Sequence, residues 1–91
     1  MGTGRRQLRF HLPVVVQPGR IDRDRVVTTP AEAAEILLKQ WPDGSFSKRV
    51  KAMQACLKVI RGEKPPHTAR AAFIAAAKEA RIFVADEPPE H

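Results

Sequence analysis

Proline placement limits what this chain can become. Pro13, Pro18, Pro30, Pro42 and the Pro65-Pro66 pair punctuate it. Each lacks a backbone donor and biases the residue before it away from helix. Regular elements must therefore be short, and short elements are stable only when packed on one another. The 91 residues suit one domain, which at this length buries roughly 60–65% of the surface its unfolded chain exposes. That argues against two domains, a large catalytic cleft or a dinucleotide-binding fold. Hydrophobic residues make up 43% of the chain, a globular rather than a disordered proportion.

Residues 1–9 read as a flexible basic lead-in, residues 10–85 as a single compact domain, and residues 86–91 as an acidic disordered tail. From Phe10 the pattern has a period of two. Phe10, Leu12, Val14 and Val16 point one way, and His11, Pro13, Val15 and Gln17 the other, which predicts a strand with one strongly apolar face. Pro13 cannot donate to a ladder and so argues for an edge strand. Arg25 to Thr28 is a returning strand whose register is not readable, because Gln17 to Asp24 is longer than a tight hairpin loop.

Thr29-Pro30-Ala31-Glu32 is the sharpest local signal: a capping threonine, a proline suited to the first helical position and a glutamate completing a capping box. The first helix is expected to reach about Trp41 and to bury Ala34, Leu37, Leu38 and Trp41. Ser47 is expected to cap a second helix ending at Ile60 or Arg61, with Gly62 suited to the left-handed exit. Its predicted core stripe is Val50, Met53, Leu57 and Ile60, with Cys56 on the flank. Thr68 or His67 opens a third helix with a core face of Ala69, Phe73, Ala76, Ala77 and Ala80. Ile82-Phe83-Val84 then leaves room for a short third strand. The expected fold class is α+β, an N-terminal β-hairpin followed by three short helices, with the second and third helices antiparallel against the apolar sheet face.

Taken together, Thr29-Pro30-x-x-Ala33-x-x-x-Leu37, Trp41-Pro42, Ala52-x-x-x-Cys56, Gly62, Ala69-Arg70-x-x-Phe73-Ile74-x-Ala76 and Glu79-Ala80 resemble a small bacterial domain-of-unknown-function family, numbered 982. It is found largely in alphaproteobacteria related to rhizobia. The resemblance spans about residues 10–85. It implies a compact domain and no reaction, substrate or ligand. Arg81 stands where the resemblance leads one to expect a glycine ending the helix.

Charge is uneven. Residues 1–29 carry six basic and two acidic side chains (+4), residues 30–62 six and three (+3), and residues 63–91 four and five (−1), for a total of +6. On the second helix Lys51, Gln54, Lys58 and Arg61 form a stripe opposite the predicted apolar one, with Lys48 beside them and no acid between Ser47 and Arg61. Lys48 and Arg49 oppose the helix dipole at that end. This basic face is a candidate for nucleic acid or an acidic partner; its bland reading is a solvated helix surface. Tyrosine is absent and Trp41 and Phe73 read as core, so single-strand stacking platforms are missing. Arg70 falls on the apolar face of the third helix. It is read either as a structural tie to Glu32, Glu35 or a helix end, or as an anion site completed by amides near Thr68 and Ala69.

One cysteine excludes an intramolecular disulfide and a multi-cysteine zinc site. Cys56 reads as a small buried hydrophobe, and His11, His67 and His91 lack ligand spacing, so no metal, cofactor or catalytic residue is expected. No segment is apolar enough to span a membrane. Arg6 stands where a myristoylation signal needs Ser or Thr, and the twin arginines lack an apolar export segment, so a cytoplasmic location is expected. The functional expectation is a non-enzymatic interaction domain working through an unidentified protein partner or self-association. The alternative is an accessory nucleic-acid binder using the helix stripe and the segments Arg5–Arg9 and Arg20–Arg25.

Overall fold

The computed structural model describes residues 8–18, 24–44 and 46–86. Most of the lead-in, residues 20–23 of the arginine-rich connection and nearly all of the acidic tail lie outside the described residues. In chain order the elements are β1 (Val14–Val16), β2 (Arg25–Val27), α1 (Pro30–Lys39), α2 (Ser47–Ile60), α3 (Pro66–Glu79) and β3 (Phe83–Ala85). The architecture is α+β: a β-hairpin, three helices and a third strand after the last helix.

The strands form one antiparallel sheet in the order β2-β1-β3. Val14 pairs with Val27, Val15 with Val26 and Val16 with Arg25. On the other side Val16 pairs with Phe83 and Val15 with Ala85, across a bulge. β1 is therefore the central strand, not an edge. Pro13 lies just outside it, where its missing donor interrupts no ladder bond. Being central also explains why Val15, on the outward face, is buried along with Val14 and Val16.

Thr29 caps α1, its hydroxyl accepting the Glu32 N–H at 3.1 Å. The expected capping box is displaced by one residue. Glu32 Oε1 accepts the N–H of Thr28 (2.8 Å) and its hydroxyl (3.0 Å) rather than the N–H of Thr29. Pro30 is buried, and it phases the helix so that Ala33, Ile36 and Leu37 face inward. Leu38 is consequently exposed and Ala34 only partly buried, contrary to the predicted face. The helix stops at Lys39, so Trp41 enters the core from the following loop, its ring 5.8 Å from that of Phe73.

Ser47 is the first residue of α2 rather than its cap, and Phe46 at the N-cap supplies no side-chain bond. The cap comes from the far end of α3, where Glu79 accepts the Lys48 N–H (2.9 Å) and the Ser47 hydroxyl (3.2 Å). That carboxylate satisfies one open amide and places a negative charge at the positive end of α2. The contact also makes α2 and α3 antiparallel. α3 opens at Pro66, earlier than Thr68 or His67, because proline suits the first helical position. Ala69, Phe73, Ala76 and Ala77 are buried as expected, with Ala80 partly so.

The layering differs from expectation in one respect. α1 and α3 contact the strands, whereas α2 contacts only α1 and α3. α2 is an outer layer.

Both long helices end in the same turn. After α2, the Gly62 N–H reaches the Val59 carbonyl (2.9 Å) and Glu63 reaches Lys58 (2.8 Å), with Gly62 at φ +81°. After α3, Arg81 N–H reaches Lys78 (3.2 Å) and Ile82 reaches Ala77 (3.0 Å), with Arg81 at φ +62°. This is the Schellman pattern, which normally uses glycine at the left-handed position. An arginine there carries a steric cost from Cβ of about 1–2 kcal/mol. Arg81→Gly is expected to raise stability by about 1 kcal/mol in chemical denaturation, after the greater freedom of unfolded glycine is deducted. A loss of stability would contradict this assignment.

Candidate functional site

The stripe that hydrophobicity assigned to the core of α2 is largely in solvent. The helix buries Ala52, Cys56 and Val59 instead. Val50 is 58% exposed, Leu57 41% and Ile60 42%, while Leu38 at the end of α1 is 64% exposed. Met53 is half-buried against the core. The reason is the layering: α2 has neighbours on one side only, and the small side chains sit at that seam. Leu37, Leu38, Arg49, Val50, Met53 and Gln54 line an open groove of about 280 Å³ between α1 and α2.

Arg49 holds the groove together. Its Nε donates to the Leu37 carbonyl at 2.8 Å and its Nη2 to the Leu38 carbonyl at 3.4 Å. These are carbonyls left open at the C-terminus of α1, where a cation is favoured. That offsets its unfavourable place in the first turn of α2. From sequence alone Arg49 reads only as a cation opposing the α2 dipole, because nothing local reveals a partner on another helix.

The predicted basic residues all lie on the exposed side of α2. At about 100° per residue, Gln54 and Arg61 form a line next to Val50 and Leu57, and Lys51 and Lys58 form the next line round. Lys48 lies about 60° beyond Lys51. Gln54 and Arg61 thus lie opposite the buried Ala52, Cys56 and Val59, between the exposed apolar row and the line of Lys51 and Lys58. Arg61 pairs with Glu63 at 3.1 Å. Lys51 and Lys58 have no ion-pair or hydrogen-bond partner among the described residues. Arg25, from the arginine-rich connection, donates to Gln40 Oε1 at 2.7 Å.

Arg70 is elsewhere, on the sheet side of α3. Its Nε donates to the Leu12 carbonyl at 2.8 Å and its Nη2 to the Asp86 carbonyl. The half-buried guanidinium therefore bridges the chain just before β1 and just after β3. Neither Glu32 nor Glu35 is its partner: the first caps α1, and the second pairs with Lys39 at 3.5 Å. The Thr68 amide, expected to complete an anion site, donates to the Pro65 carbonyl at 3.0 Å.

Cys56 is fully buried, and desolvation pushes its thiol up to about 12. His67 is exposed in the first turn of α3, and no hydrogen bond joins the two. A larger, more polar hollow of about 620 Å³ lies near Trp41, Pro42, Asp43 and Arg81. Among the described residues no group of three His, Cys, Asp or Glu could hold a metal ion, and no helix is long and apolar enough to cross a membrane.

The family model described as "Protein of unknown function (DUF982)" matches residues 12–84. The chain belongs to this family. Its fold is similar to that in the NMR structure of Agrobacterium tumefaciens protein Atu1219. The TM-score is 0.71 at 23% identity, over 90% of this chain and 81% of that one. No curated protein matches the chain. In this DUF982 domain, the residues that carry the family resemblance serve the scaffold. Thr29 caps, Pro30, Leu37, Trp41, Cys56 and Phe73 are buried, Gly62 takes the left-handed turn and Glu79 caps α2.

The two carbonyl bonds of Arg70 set an expected cost. Arg70→Leu keeps the stem's packing but leaves both carbonyls without this donor, so a loss of about 2 kcal/mol is expected in urea unfolding. Unchanged stability would exclude a structural tie.

Proposed function

We propose that this DUF982 domain is a non-enzymatic protein-interaction domain that docks its partner through the α1–α2 face. One observation carries the reading. Leu38 and Val50 are left exposed beside a groove that Leu37 and Met53 also line, and Leu57 and Ile60 extend the exposed row along α2. Scattered exposed leucines need no explanation, but a contiguous apolar patch on a small domain marks an interaction surface. The catalytic alternatives have little support. Cys56 is buried with its thiol pushed up by desolvation, no hydrogen bond joins it to His67, and Arg70 donates to backbone carbonyls.

The basic row favours a second reading, nucleic-acid binding through Lys51 and Lys58. Phosphate contacts have no use for the exposed apolar row, so the protein partner is the better account of the whole face.

The test compares the wild-type protein with a Leu38→Ser/Val50→Ser/Leu57→Ser variant. All three side chains are partly exposed, so each substitution is expected to cost about 1 kcal/mol, and circular dichroism with urea unfolding first verifies that the variant folds. Affinity capture from native cells, after nuclease treatment, is expected to retain a protein on the wild type that the variant loses. Duplex DNA titrated at two salt concentrations is the control. Binding that falls steeply with salt, disappears in Lys51→Glu/Lys58→Glu and survives the serine changes would assign the face to nucleic acid instead.

A further inference from the structure

We propose that the occupant of the α1–α2 face is an acidic amphipathic helix of a partner protein. The inference rests on the docking role above and names the chemistry of its partner.

The shape of the face selects a helix. Leu38, Val50 and Met53 border a groove between two helices, and Leu57 continues the Val50 and Met53 row one turn along α2. The backbone donors and acceptors in the middle of α2 are consumed within the helix, so the face offers no unpaired edge to an extended strand. A ligand laid on it must satisfy its own backbone, and a helix does so. From Val50 to Ile60 the apolar row runs about 15 Å, which a helix of about three turns covers. Spacing of three and four residues on both surfaces lets the ridges of one enter the grooves of the other.

Charge selects an acidic one. α2 contains no acid from Ser47 to Ile60. Gln54 and Arg61 flank the apolar row, Arg61 paired with Glu63, and Lys51 and Lys58, with no ion-pair or hydrogen-bond partner among the described residues, stand one line further round. On the α1 side, Glu35 is paired with Lys39, and the charged side chain that lines the groove itself is the cation Arg49. A partner with glutamates or aspartates flanking its leucines would meet these cations at the solvated rim, where charge governs specificity and encounter. The same charges disfavour a second copy. A two-fold contact is self-complementary and sets the same patch against itself; here it would bring together two copies of an α2 face that has no acid between Ser47 and Ile60, in a chain of net charge +6.

The experiment uses the full chain and three synthetic helical peptides of about four turns. They share one leucine face and differ only in carrying Glu, Gln or Lys on the flanks. Binding is followed by methyl and amide NMR shifts. The Glu peptide is expected to move Leu38, Val50, Met53 and Leu57. It should bind about tenfold more tightly than the Gln peptide, while the Lys peptide should bind weakest. Lys51→Glu/Lys58→Glu, which alters only exposed side chains, is expected to reverse that order.

Equal binding of all three peptides at these residues would overturn the acidic-helix inference and leave the docking role standing. No shift at these residues with any peptide would also overturn it, and the serine variant's capture result would then decide the docking role separately. Shifts at Val50 and Leu57 on diluting the protein alone would put a second copy there. Shifts confined to Lys51 and Lys58 on adding duplex DNA, with none from the peptides, would put nucleic acid there. Either outcome contradicts the proposal.

Discussion

The rest of the molecule depends on a seam of small side chains between its helices. α3 presents Ala69, Ala76 and Ala77 to the interior with Phe73 among them, and α2 presents Ala52, Cys56 and Val59. Small residues let helix axes approach, since interaxial distance follows the side chains at the contact. α3 is thus sandwiched between the sheet and α2, and α2 is held off the sheet entirely. Polar ties lock this arrangement at several places. Glu79 caps α2 from the end of α3, Arg49 closes the end of α1 from the start of α2, and Arg70 fastens α3 to the carbonyls flanking two strands.

That seam has a surface consequence. A helix in an outer layer buries one narrow strip, and here the strip is taken by α2's smaller residues. Its bulkier ones, Val50, Leu57 and Ile60, are left outside beside Leu38. These side chains are about half exposed, so each forgoes about half of the roughly 1.5–3 kcal/mol that full burial supplies. A partner that covers them recovers part of this, so the candidate interface follows from how the core is packed. The row of Lys51 and Lys58 lies one line further round α2, beyond Gln54 and Arg61, and gives that side of the helix a positive sign.

Much of the fold was legible in the sequence because local chemistry specified it. Thr29-Pro30 started α1, Gly62 ended α2, and the period-two run at Val14–Val16 and the 69/73/76/77 spacing on α3 marked true inner faces. The errors arose where local pattern was compatible with more than one answer. Ile36-Leu37-Leu38 allows two helix phases, and only the burial of Pro30 chose between them. On α2 the bulkiest residues made the more hydrophobic stripe, yet tertiary layering preferred the smaller one. The strand order was equally non-local, since Pro13 is compatible with a central strand that starts one residue later. The basic residues of the candidate site were visible as exposed charges. Their apolar neighbours were not, because hydrophobicity alone cannot distinguish a core stripe from an interface stripe. The partners of Arg49, Arg70 and Glu79 lie 12, 58 and 31 residues away along the chain, beyond the reach of any local signal.

The central claim is that α2 rides on α1 and α3 by its small side chains with its large ones in solvent. Paramagnetic relaxation of methyl NMR signals by an inert soluble probe tests it most directly, on dilute protein whose mass is first verified as that of a monomer. The account predicts strong broadening for the methyls of Leu38, Val50, Leu57 and Ile60, and little for Val14, Ile36 and Val59. Methyls of Val50 and Leu57 as protected as those of Val59 would contradict it.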